Sequence, residues 1–147
     1  MGEPENSSFE VSDADWESDS ADMTYVREVV FIREQGVSRE EEMDGLDGEC
    51  LHVVAHDESG QAIGTARLDS HGHIGRVAVL KEWRGKGVGN ELMDAIVVRA
   101  RKQGWKQVEL NSQTHAAEFY QKLGFVAEGD EFEEAGIPHI KMVRVLE

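Results

Sequence analysis

The sequence predicts an α/β fold, with a mixed, twisted, mostly antiparallel sheet and helices on both faces. Apolar residues change from a helical to an alternating period along the chain, which gives the order strand, helix, three strands, helix, strand, helix, two strands. The central helix lies between two strands and implies a parallel pair, whereas short turns elsewhere imply antiparallel pairs. The 147 residues suit one domain, so we expect a flexible N-terminus over residues 1–8 and a single domain over residues 9–147.

The first half of the chain begins with a strand and a helix. Residues 9–11 are expected to open the strand. Residues 20–34 are expected to form the helix, with Ser20 as its N-cap and Gly36 beyond its end. Charged residues and two glycines predict a surface loop over residues 38–49, which a short helical turn would fit. Alternating apolar residues then predict a meander of three strands, over residues 51–55, 62–68 and 74–80.

The second half contains the clearest helix of the sequence. Its apolar stripe runs over residues 87–103, and Gly104 stands where a C′ glycine ends a helix. The remaining predicted elements are a strand, a short helix and two closing strands, over residues 107–110, 116–123, 125–127 and 140–146. An acidic excursion is expected over residues 128–139, between the last two strands.

The composition excludes several classes of protein. Thirty acidic residues against 15 basic ones give a formal net charge of −15, so a general nucleic-acid binder or a polybasic membrane anchor is not expected. No apolar run approaches the ~20 residues that span a bilayer, and residues 1–10 do not resemble a secretory signal. The one cysteine, Cys50, permits no intramolecular disulfide, which suits a reducing compartment. We therefore expect a cytoplasmic protein with no nucleic-acid or membrane partner.

The acidity itself has two explanations, ordinary solubility or a halophilic source. Repulsion across such an acidic surface is relieved when salt screens the charges. The halophilic explanation predicts that the melting temperature rises with molar salt, as measured by thermal denaturation. A melting temperature that stays constant or falls would contradict it.

A glycine-rich turn opens the clearest helix. Residues 84–89 read Arg-Gly-Lys-Gly-Val-Gly. Glycines at a helix start leave backbone N–H groups accessible, and the helix dipole adds roughly half a positive charge, so such a turn binds anions. Three basic residues and one acid surround it: Lys81, Arg84, Lys86 and Glu82. The alternative explanation is a tight turn with solvated charges.

Two other phosphate-binding motifs do not fit this turn. A P-loop needs Ser or Thr after Gly-Lys, but Gly87 follows Lys86. A dinucleotide fingerprint needs glycine where Asn90 stands. Neither a nucleoside triphosphate nor NAD is therefore the expected ligand.

Two motifs in this half resemble a known family. Arg84-x-x-Gly87-x-Gly89 resembles the R/Q-x-x-G-x-G/A signature of the GNAT (GCN5-related) N-acetyltransferases. Residues 116–125 resemble the second signature of that family, A-x-x-x-Y-x-x-x-G-F, preceded by Gln113 where the family often has Asn. Three further stretches resemble the ElaA/YjcF-like branch: residues 30–37, 44–47 and 134–139.

The resemblance implies an acyl-CoA N-acyltransferase fold, with acetyl-CoA as co-substrate and no metal. The strand at residues 76–80 would splay from the strand at residues 107–110 and admit pantetheine, with a free N–H near Val77 or Ala78 for the oxyanion. The residues implied to contact CoA are Val77, Ala78, Val79, Arg84, Gly85, Lys86, Gly87, Val88, Gly89, Asn111, Gln113 and Tyr120. The implied activity is acetyl transfer to a primary amine of an unidentified small molecule or peptide.

The resemblance also suggests roles for individual side chains. Tyr120 matches the general acid of the family, because a phenol keeps its proton at neutral pH; the alternative is a core tyrosine. The candidates for the general base are Glu34, Asp44, Glu109, His115 and His139, of which Glu34 and His139 are favoured. Arg67 is expected either to bind a carboxylate or phosphate of the acceptor or to form a surface ion pair. His139 is also expected to line the acceptor region.

Two other functions are compatible with the same motifs. One is a non-catalytic module that binds acetyl-CoA as a sensor or scaffold. The other is an acyltransferase with a different acyl group or an oxygen acceptor. Tyr120 favours an enzyme, because a module that only binds CoA needs no phenol there. A homodimer is also compatible with the sequence.

Overall fold

The computed structural model describes residues 8–146. The strands are β1 (Phe9–Ala14), β2 (Leu51–Asp57), β3 (Ala62–Leu68), β4 (His73–Val79), β5 (Gln107–Gln113), β6 (Val126–Glu134) and β7 (Ile137–Val145). The α-helices are α1 (Trp16–Arg27), α2 (Arg39–Glu42), α3 (Val88–Lys102) and α4 (Ala117–Lys122). The prediction of a flexible N-terminus falls on residues 1–7, outside the described residues, and on Ser8, whose hydroxyl donates to Glu58 at 2.6 Å.

All seven strands form one sheet, in the order β1-β2-β3-β4-β5-β7-β6. β4 and β5 are parallel, whereas every other neighbouring pair is antiparallel. α3 provides the crossover between the two parallel strands, as a parallel connection requires. The predicted fold class, a mixed and mostly antiparallel α/β sheet, is confirmed.

β3 is the centre of the core, because all seven of its residues are buried. A strand buried at every residue has both of its faces covered, and α1 and α3 both pack on β3. Gly64 allows the close approach of α3: a Cβ there would lie 3.0 Å from Leu92 and 3.1 Å from Val88. Among residues 8–146, no helix combines the length and the apolar character needed to cross a membrane.

The first helix differs from the prediction at its start, whereas its helical winding ends at Glu34 as predicted. It begins at Trp16, and its N-cap is Asp15, whose carboxylate accepts a hydrogen bond from the N–H of Ser18 at 3.3 Å. The prediction of Ser20 as N-cap is therefore wrong. The first turn is largely exposed and carries no apolar stripe, so the apolar period begins later than the helix itself. From Glu28 to Glu34 the chain continues as a π-helix.

The expected acidic excursion over residues 128–139 is wrong, because β6 and β7 extend through it as a hairpin. The connecting residues Ala135 and Gly136 both have positive φ, +53° and +75°, as a two-residue turn of this kind requires. β6 is the edge strand, and all nine of its residues are exposed. The predicted strand over residues 125–127 covers only the first two residues of β6, because the polar remainder of this edge strand has no apolar alternation.

Candidate active site

The sheet opens between β4 and β5. Their parallel register consists of two pairs, His73–Glu109 and Ile74–Leu110. Within residues 8–146, no later residue of β4 pairs with β5, although both strands continue. The splay that the resemblance implies is therefore present. It begins beyond Leu110, so on the β5 side residues 111–113 flank it, not residues 107–110 as predicted.

The edge of β4 offers backbone groups to this opening. The N–H of Leu80 donates to the carbonyl of Ile63 in β3 at 2.9 Å. Backbone groups alternate in direction along a strand, so the N–H and carbonyl of Val79 face away from β3. The Val79 carbonyl accepts a hydrogen bond from Nε of Arg84 at 2.9 Å. An extended ligand chain in the opening could therefore pair with this edge.

A β-bulge interrupts β4 before these groups. The register with β3 changes between the pairs Thr65–Ala78 and Arg67–Gly75, which leaves two residues of β4, Arg76 and Val77, opposite Ala66 alone. Arg76 has φ +53°, an uncommon conformation for a residue with a side chain. Bulges redirect a strand locally, and this one includes Val77 and immediately precedes Ala78.

The glycine-rich turn leads into α3. Gly87 is the N-cap with φ +90°, and in the described part of the chain no side chain caps this helix start. A Cβ at Gly85 or at Gly87 would meet no atom within 4 Å, so the approach to both is open. Lys86 places its ammonium 5.9 Å from the centre of the Trp83 ring. The first N–H groups of α3 thus form an accessible site for an anion.

Gly89 is a glycine for a different reason. A Cβ there would lie 3.1 Å from Cζ of Phe119 in α4. The missing side chain lets α4 pack directly against the first turn of α3. Phe119 also contacts Tyr120 edge-to-face, with ring centroids 4.9 Å apart. The predicted acid is therefore the neighbour of the residue that packs on the start of α3, where the phosphates would bind.

Tyr120 is only 8% exposed. Its ring also packs edge-to-face on Phe125, with centroids 5.9 Å apart. Burial raises the pKa of the Tyr120 phenol above its ordinary value, because the charged phenolate loses its hydration. The group therefore holds its proton throughout the neutral pH range.

Glu34 and Arg84, two of the predicted site residues, contact each other. Both carboxylate oxygens of Glu34 accept hydrogen bonds from the Arg84 guanidinium, at 2.7 and 2.8 Å. These hydrogen bonds hold the pKa of Glu34 below its ordinary value. A carboxylate with a lowered pKa is a weaker base, so this pairing disfavours Glu34 as the general base.

Gln35 is a site residue that the sequence analysis did not identify. Its side-chain oxygen accepts a hydrogen bond from the Gln113 amide at 2.9 Å. Gln113 ends β5, and Arg84 follows β4, so the consecutive residues Glu34 and Gln35 reach both sides of the opening. Its position next to Glu34, in the stretch that resembles the branch, is the one sequence signal that could have identified it.

His139 lies beside this amide pair. It is opposite Gln113 in β5 and Phe132 in β6, so the three side chains share one face of the sheet. The ring is 8% exposed and stacks on Phe132 with centroids 6.0 Å apart. Its Nδ1 is 2.7 Å from the carbonyl of Ile137, which can only accept, so Nδ1 carries the proton. In the neutral ring Nε2 is then free to accept a proton.

A network of charged side chains holds the segment between α2 and β2 onto the sheet. Its members are three arginines and three acids, Arg27, Arg67, Arg76, Glu42, Asp44 and Asp47. Four of these are at most 6% exposed, namely Arg27, Glu42, Asp47 and Arg67. The predicted surface loop over residues 38–49 is confirmed for most of its length, since all but Glu42 and Asp47 are exposed. It contains α2 and a short 3₁₀ turn, Asp47–Glu49.

Arg67 belongs to this network, and the predicted surface ion pair is wrong because its side chain is buried. The guanidinium pairs with Asp44 and donates to Asp47 at 2.9 Å. Burial acts to raise the pKa of Asp44, but the hydrogen bond and charge of Arg67 outweigh it and hold that pKa below its ordinary value. Asp44 is thus a poor base, and an acceptor role for Arg67 stays a prediction.

Replacement of Asp47 by asparagine should lower the free energy of unfolding by about 3–5 kcal/mol at neutral pH, because it leaves buried arginines unbalanced. Burial acts to raise the pKa of Asp47, but Arg27 and Arg67 hold it below its ordinary value. The stabilisation by Asp47 is thus present above its unfolded pKa of about 3.9 and is lost as pH falls through the lower folded pKa.

Urea titrations of wild type and Asp47→Asn across pH 7 to pH 2 test this expectation. The difference in unfolding free energy should shrink below about pH 4. Asp94→Asn, at an exposed position of α3, is the matched control. A difference that stays constant down to pH 2 would contradict the role of the carboxylate charge.

The remaining candidate residues lie elsewhere. Glu109 is in the paired part of the sheet, 3.4 Å from Lys141 and 3.5 Å from His73, so it is not at the opening. His115 is exposed before α4. Asn111 donates to Glu134 at 3.4 Å, on the β5 side of the opening. Among residues 8–146, no group of three or more His, Cys, Asp or Glu side chains is arranged to hold a metal ion.

Comparison with known proteins places this chain in a family. Residues 20–146 match the model of the acetyltransferase (GNAT) domain. YjcF of Bacillus subtilis, which is named an N-acetyltransferase, is 43% identical over 126 residues, which cover 84% of this chain and 90% of YjcF. ElaA of Escherichia coli is 33% identical over 128 residues, covering 81% of this chain and 82% of ElaA.

Solved structures agree with this assignment. The crystal structure of Escherichia coli ElaA has a TM-score of 0.81 and 29% identity, covering 93% of this chain and 99% of ElaA. An acyl-CoA N-acyltransferase from Pseudomonas aeruginosa has a TM-score of 0.81 and 29% identity, covering 94% of this chain and 100% of that one. The chain therefore belongs to the GNAT acetyltransferase family, in its ElaA/YjcF-like branch, and is an acyltransferase.

Proposed function

We propose that this protein transfers the acetyl group of acetyl-CoA to a primary amine of a small molecule or peptide. The observation that carries the proposal is the parting of β4 and β5 beside the uncapped start of α3. It combines a slot with a hydrogen-bonding edge for the pantetheine arm and an anion site for the diphosphate at its end. Both are needed to hold a CoA thioester in one orientation.

The diphosphate would lie against the open glycines of the turn, Gly85 and Gly87, and accept hydrogen bonds from the first N–H groups of α3. The pantetheine arm would pair with the edge of β4 at Val77 and Val79. The thioester carbonyl would then lie near the backbone N–H of Val77, because the N–H of Ala78 faces β3. Preorganised N–H donors of this kind stabilise the negative charge that develops on the oxygen during acyl transfer.

Tyr120 would protonate the departing thiolate of CoA. Its phenol stays protonated because burial raises its pKa. Its helix contacts the first turn of α3 through Phe119, so the hydroxyl belongs to the same part of the molecule as the proposed CoA site. A poised general acid contributes typically 10²–10⁴-fold to a rate.

His139 is the better candidate for the base that deprotonates the attacking amine. The hydrogen bond from Nδ1 to Ile137 leaves Nε2 able to take a proton, whereas the Glu34 carboxylate is held by Arg84. The shared face with Gln113 puts the ring next to the opening at its β5 side. Transfer of the proton would be direct or through one water.

Replacement of His139 by asparagine should lower kcat/KM by about 10²–10⁴-fold, because the amide can still donate to Ile137 but cannot accept the proton of the amine. The control is Glu34→Gln, which keeps a hydrogen bond to Arg84 and should leave kcat within a few-fold of wild type. Steady-state kinetics with varied amine at saturating acetyl-CoA give kcat and kcat/KM for both variants. A larger loss of kcat in Glu34→Gln than in His139→Asn would move the base to Glu34.

A thiol-release assay tests the proposed reaction as a whole. Acetyl-CoA is incubated with the enzyme and a panel of primary amines, lysine peptides and peptide N-termini, in low and in molar salt. Matched alcohols and propionyl-CoA test the acceptor atom and the acyl group. The expected result is thiol release that depends on an amine and on acetyl-CoA. Release with alcohols only, or with no acceptor at all, would overturn the proposal.

A further inference from the structure

The charge network described above includes Arg76 of the β4 bulge. Removal of its buried charges from water costs free energy of folding. Three cations balance three acids, so the cluster is neutral. Apolar residues of similar volume often stabilise a core as well as a buried ion cluster does, or better. In some proteins a buried polar group specifies one packing arrangement, which is the role considered for this cluster. The contacts of this cluster with the backbone therefore indicate which segment it positions.

Arg76 connects the bulge to the segment around α2. Its guanidinium donates to the carbonyl of Glu42 from Nε at 3.2 Å and from Nη2 at 2.9 Å. It also donates to the Glu41 carbonyl at 3.2 Å and to the Asp44 carboxylate at 3.3 Å. The carbonyls of Glu41 and Glu42 lie at the end of α2, where carbonyl groups lack partners within the helix. The side chain of the bulged residue is thus tied to two carbonyls and a carboxylate.

β3, the strand opposite the bulge, is also attached to Asp44. Arg67, in β3, lies opposite Gly75, the residue before the bulge, and its guanidinium pairs with Asp44. It also donates to Asp47, which Arg27 of α1 holds with a hydrogen bond of 2.8 Å. β3 and β4, the two strands that meet at the bulge, are therefore both attached to one segment, residues 41–47. Arg76 is the only member of the network that belongs to the bulge itself.

We propose that Arg76 is a positioning residue: the network holds its backbone at φ +53° and so fixes the direction of the Val77 N–H group. This inference rests on the proposed function, in which that group receives the thioester oxygen. Arg76 acts through the backbone, and its guanidinium is directed to residues 41–44. Donor direction matters most in the transition state, when the oxygen becomes charged. Loss of the guanidinium should therefore lower kcat far more than the affinity for acetyl-CoA.

Replacement of Arg76 by glycine separates the side chain from the backbone conformation. Glycine adopts φ +53° without a steric cost, so the bulge remains accessible while its anchor is removed. We expect kcat to fall by about 10–100-fold, with the Kd for CoA within about threefold of wild type, because the turn at α3 is unchanged. Millimolar methylguanidinium should restore part of the lost rate, since it can occupy the vacated position. Arg101→Ala, at an exposed position of α3, is the matched control.

A second measurement does not depend on turnover. Amide hydrogen exchange at Ala78, which lies opposite Thr65 beside the bulge, should accelerate at least tenfold in Arg76→Gly and stay unchanged at Val108 in β5. Arg76→Lys keeps the charge but loses the planar guanidinium that reaches the three acceptors, so it should show intermediate kcat and exchange. This conservative variant keeps the test valid if the glycine variant unfolds.

The outcomes distinguish the two proposals. Unchanged exchange at Ala78 in both variants would overturn the positioning role, as would a loss of kcat that only follows the unfolded fraction in thermal melts. Absence of amine-dependent turnover in wild type would overturn the proposed function, while the exchange data would still decide whether Arg76 fixes the bulge. A kcat loss with Kd retained and methylguanidinium rescue supports both.

Discussion

Gly87→Asp should weaken CoA binding by about 10²–10³-fold while leaving the fold intact. Gly87 begins α3 with φ +90° and open space around its missing Cβ, and aspartate tolerates this conformation better than most residues. The new carboxylate would cap the free N–H groups of α3 and add a negative charge where the diphosphate binds. Like charges about 4 Å apart near a protein surface repel by about 4 kcal/mol, which gives that order of loss.

Calorimetric titration with CoA measures this effect, and circular dichroism checks the fold. Gly87→Asn has nearly the same shape without the charge, so it should lose less affinity than the aspartate variant. Gly104→Asp is the control for backbone conformation, because Gly104 has φ +85° and open space at the other end of α3. Unchanged CoA affinity in Gly87→Asp would show that the phosphates bind elsewhere.

Tyr120→Phe should reduce kcat by about 10²–10⁴-fold with little change in CoA affinity. The substitution removes one hydroxyl and keeps the ring that packs on Phe119 and Phe125. If Tyr120 only filled the core, turnover would remain nearly intact. If it protonates the thiolate, the rate of the chemical step falls, whereas the glycine turn still holds the CoA. The two sets of variants thus separate binding from rate.

Single-turnover kinetics are the right measurement for Tyr120→Phe, because slow product release would mask a slower chemical step. Tyr25, the other tyrosine of the chain, is 43% exposed, and Tyr25→Phe is the matched control. A wild-type single-turnover rate in Tyr120→Phe would assign the proton to water or to another side chain.

The features that sequence predicted well are those that local periodicity and motifs encode. α3 was predicted within one residue at each end, because its apolar stripe is continuous and Gly104 ends it. There the N–H of Gly104 donates to the carbonyl of Arg101, and the N–H of Trp105 donates to the carbonyl of Ala100. β3 was predicted with its observed bounds, since it is apolar and lies between clear turns. The glycine turn could be identified because each of its glycines meets a local requirement. Gly85 and Gly87 have positive φ, and Gly89 lets Phe119 approach closely.

The features that sequence missed depend on contacts between distant segments. Arg27, Arg67 and Asp47 are far apart in the chain, and each looks like an ordinary surface charge until the fold buries them together. Gln35 gains its role only because Gln113, 78 positions away, faces it. Beyond its first two residues, the exposed edge strand β6 has no apolar period, so no local pattern distinguishes that part from a loop.

The π-helix from Glu28 to Glu34 makes the winding of this segment a determinant of the site. Its hydrogen bonds close over five residues instead of four, so each residue turns less about the axis than in the regular helix before it. If the same residues wound as an α-helix, each would turn by about 100°, and the residues that follow would face another direction. Glu34 and Gln35 would then point away from Arg84 and Gln113, although none of these four side chains had been altered. Within this stretch, therefore, the type of helix is as strongly constrained as the residue identities.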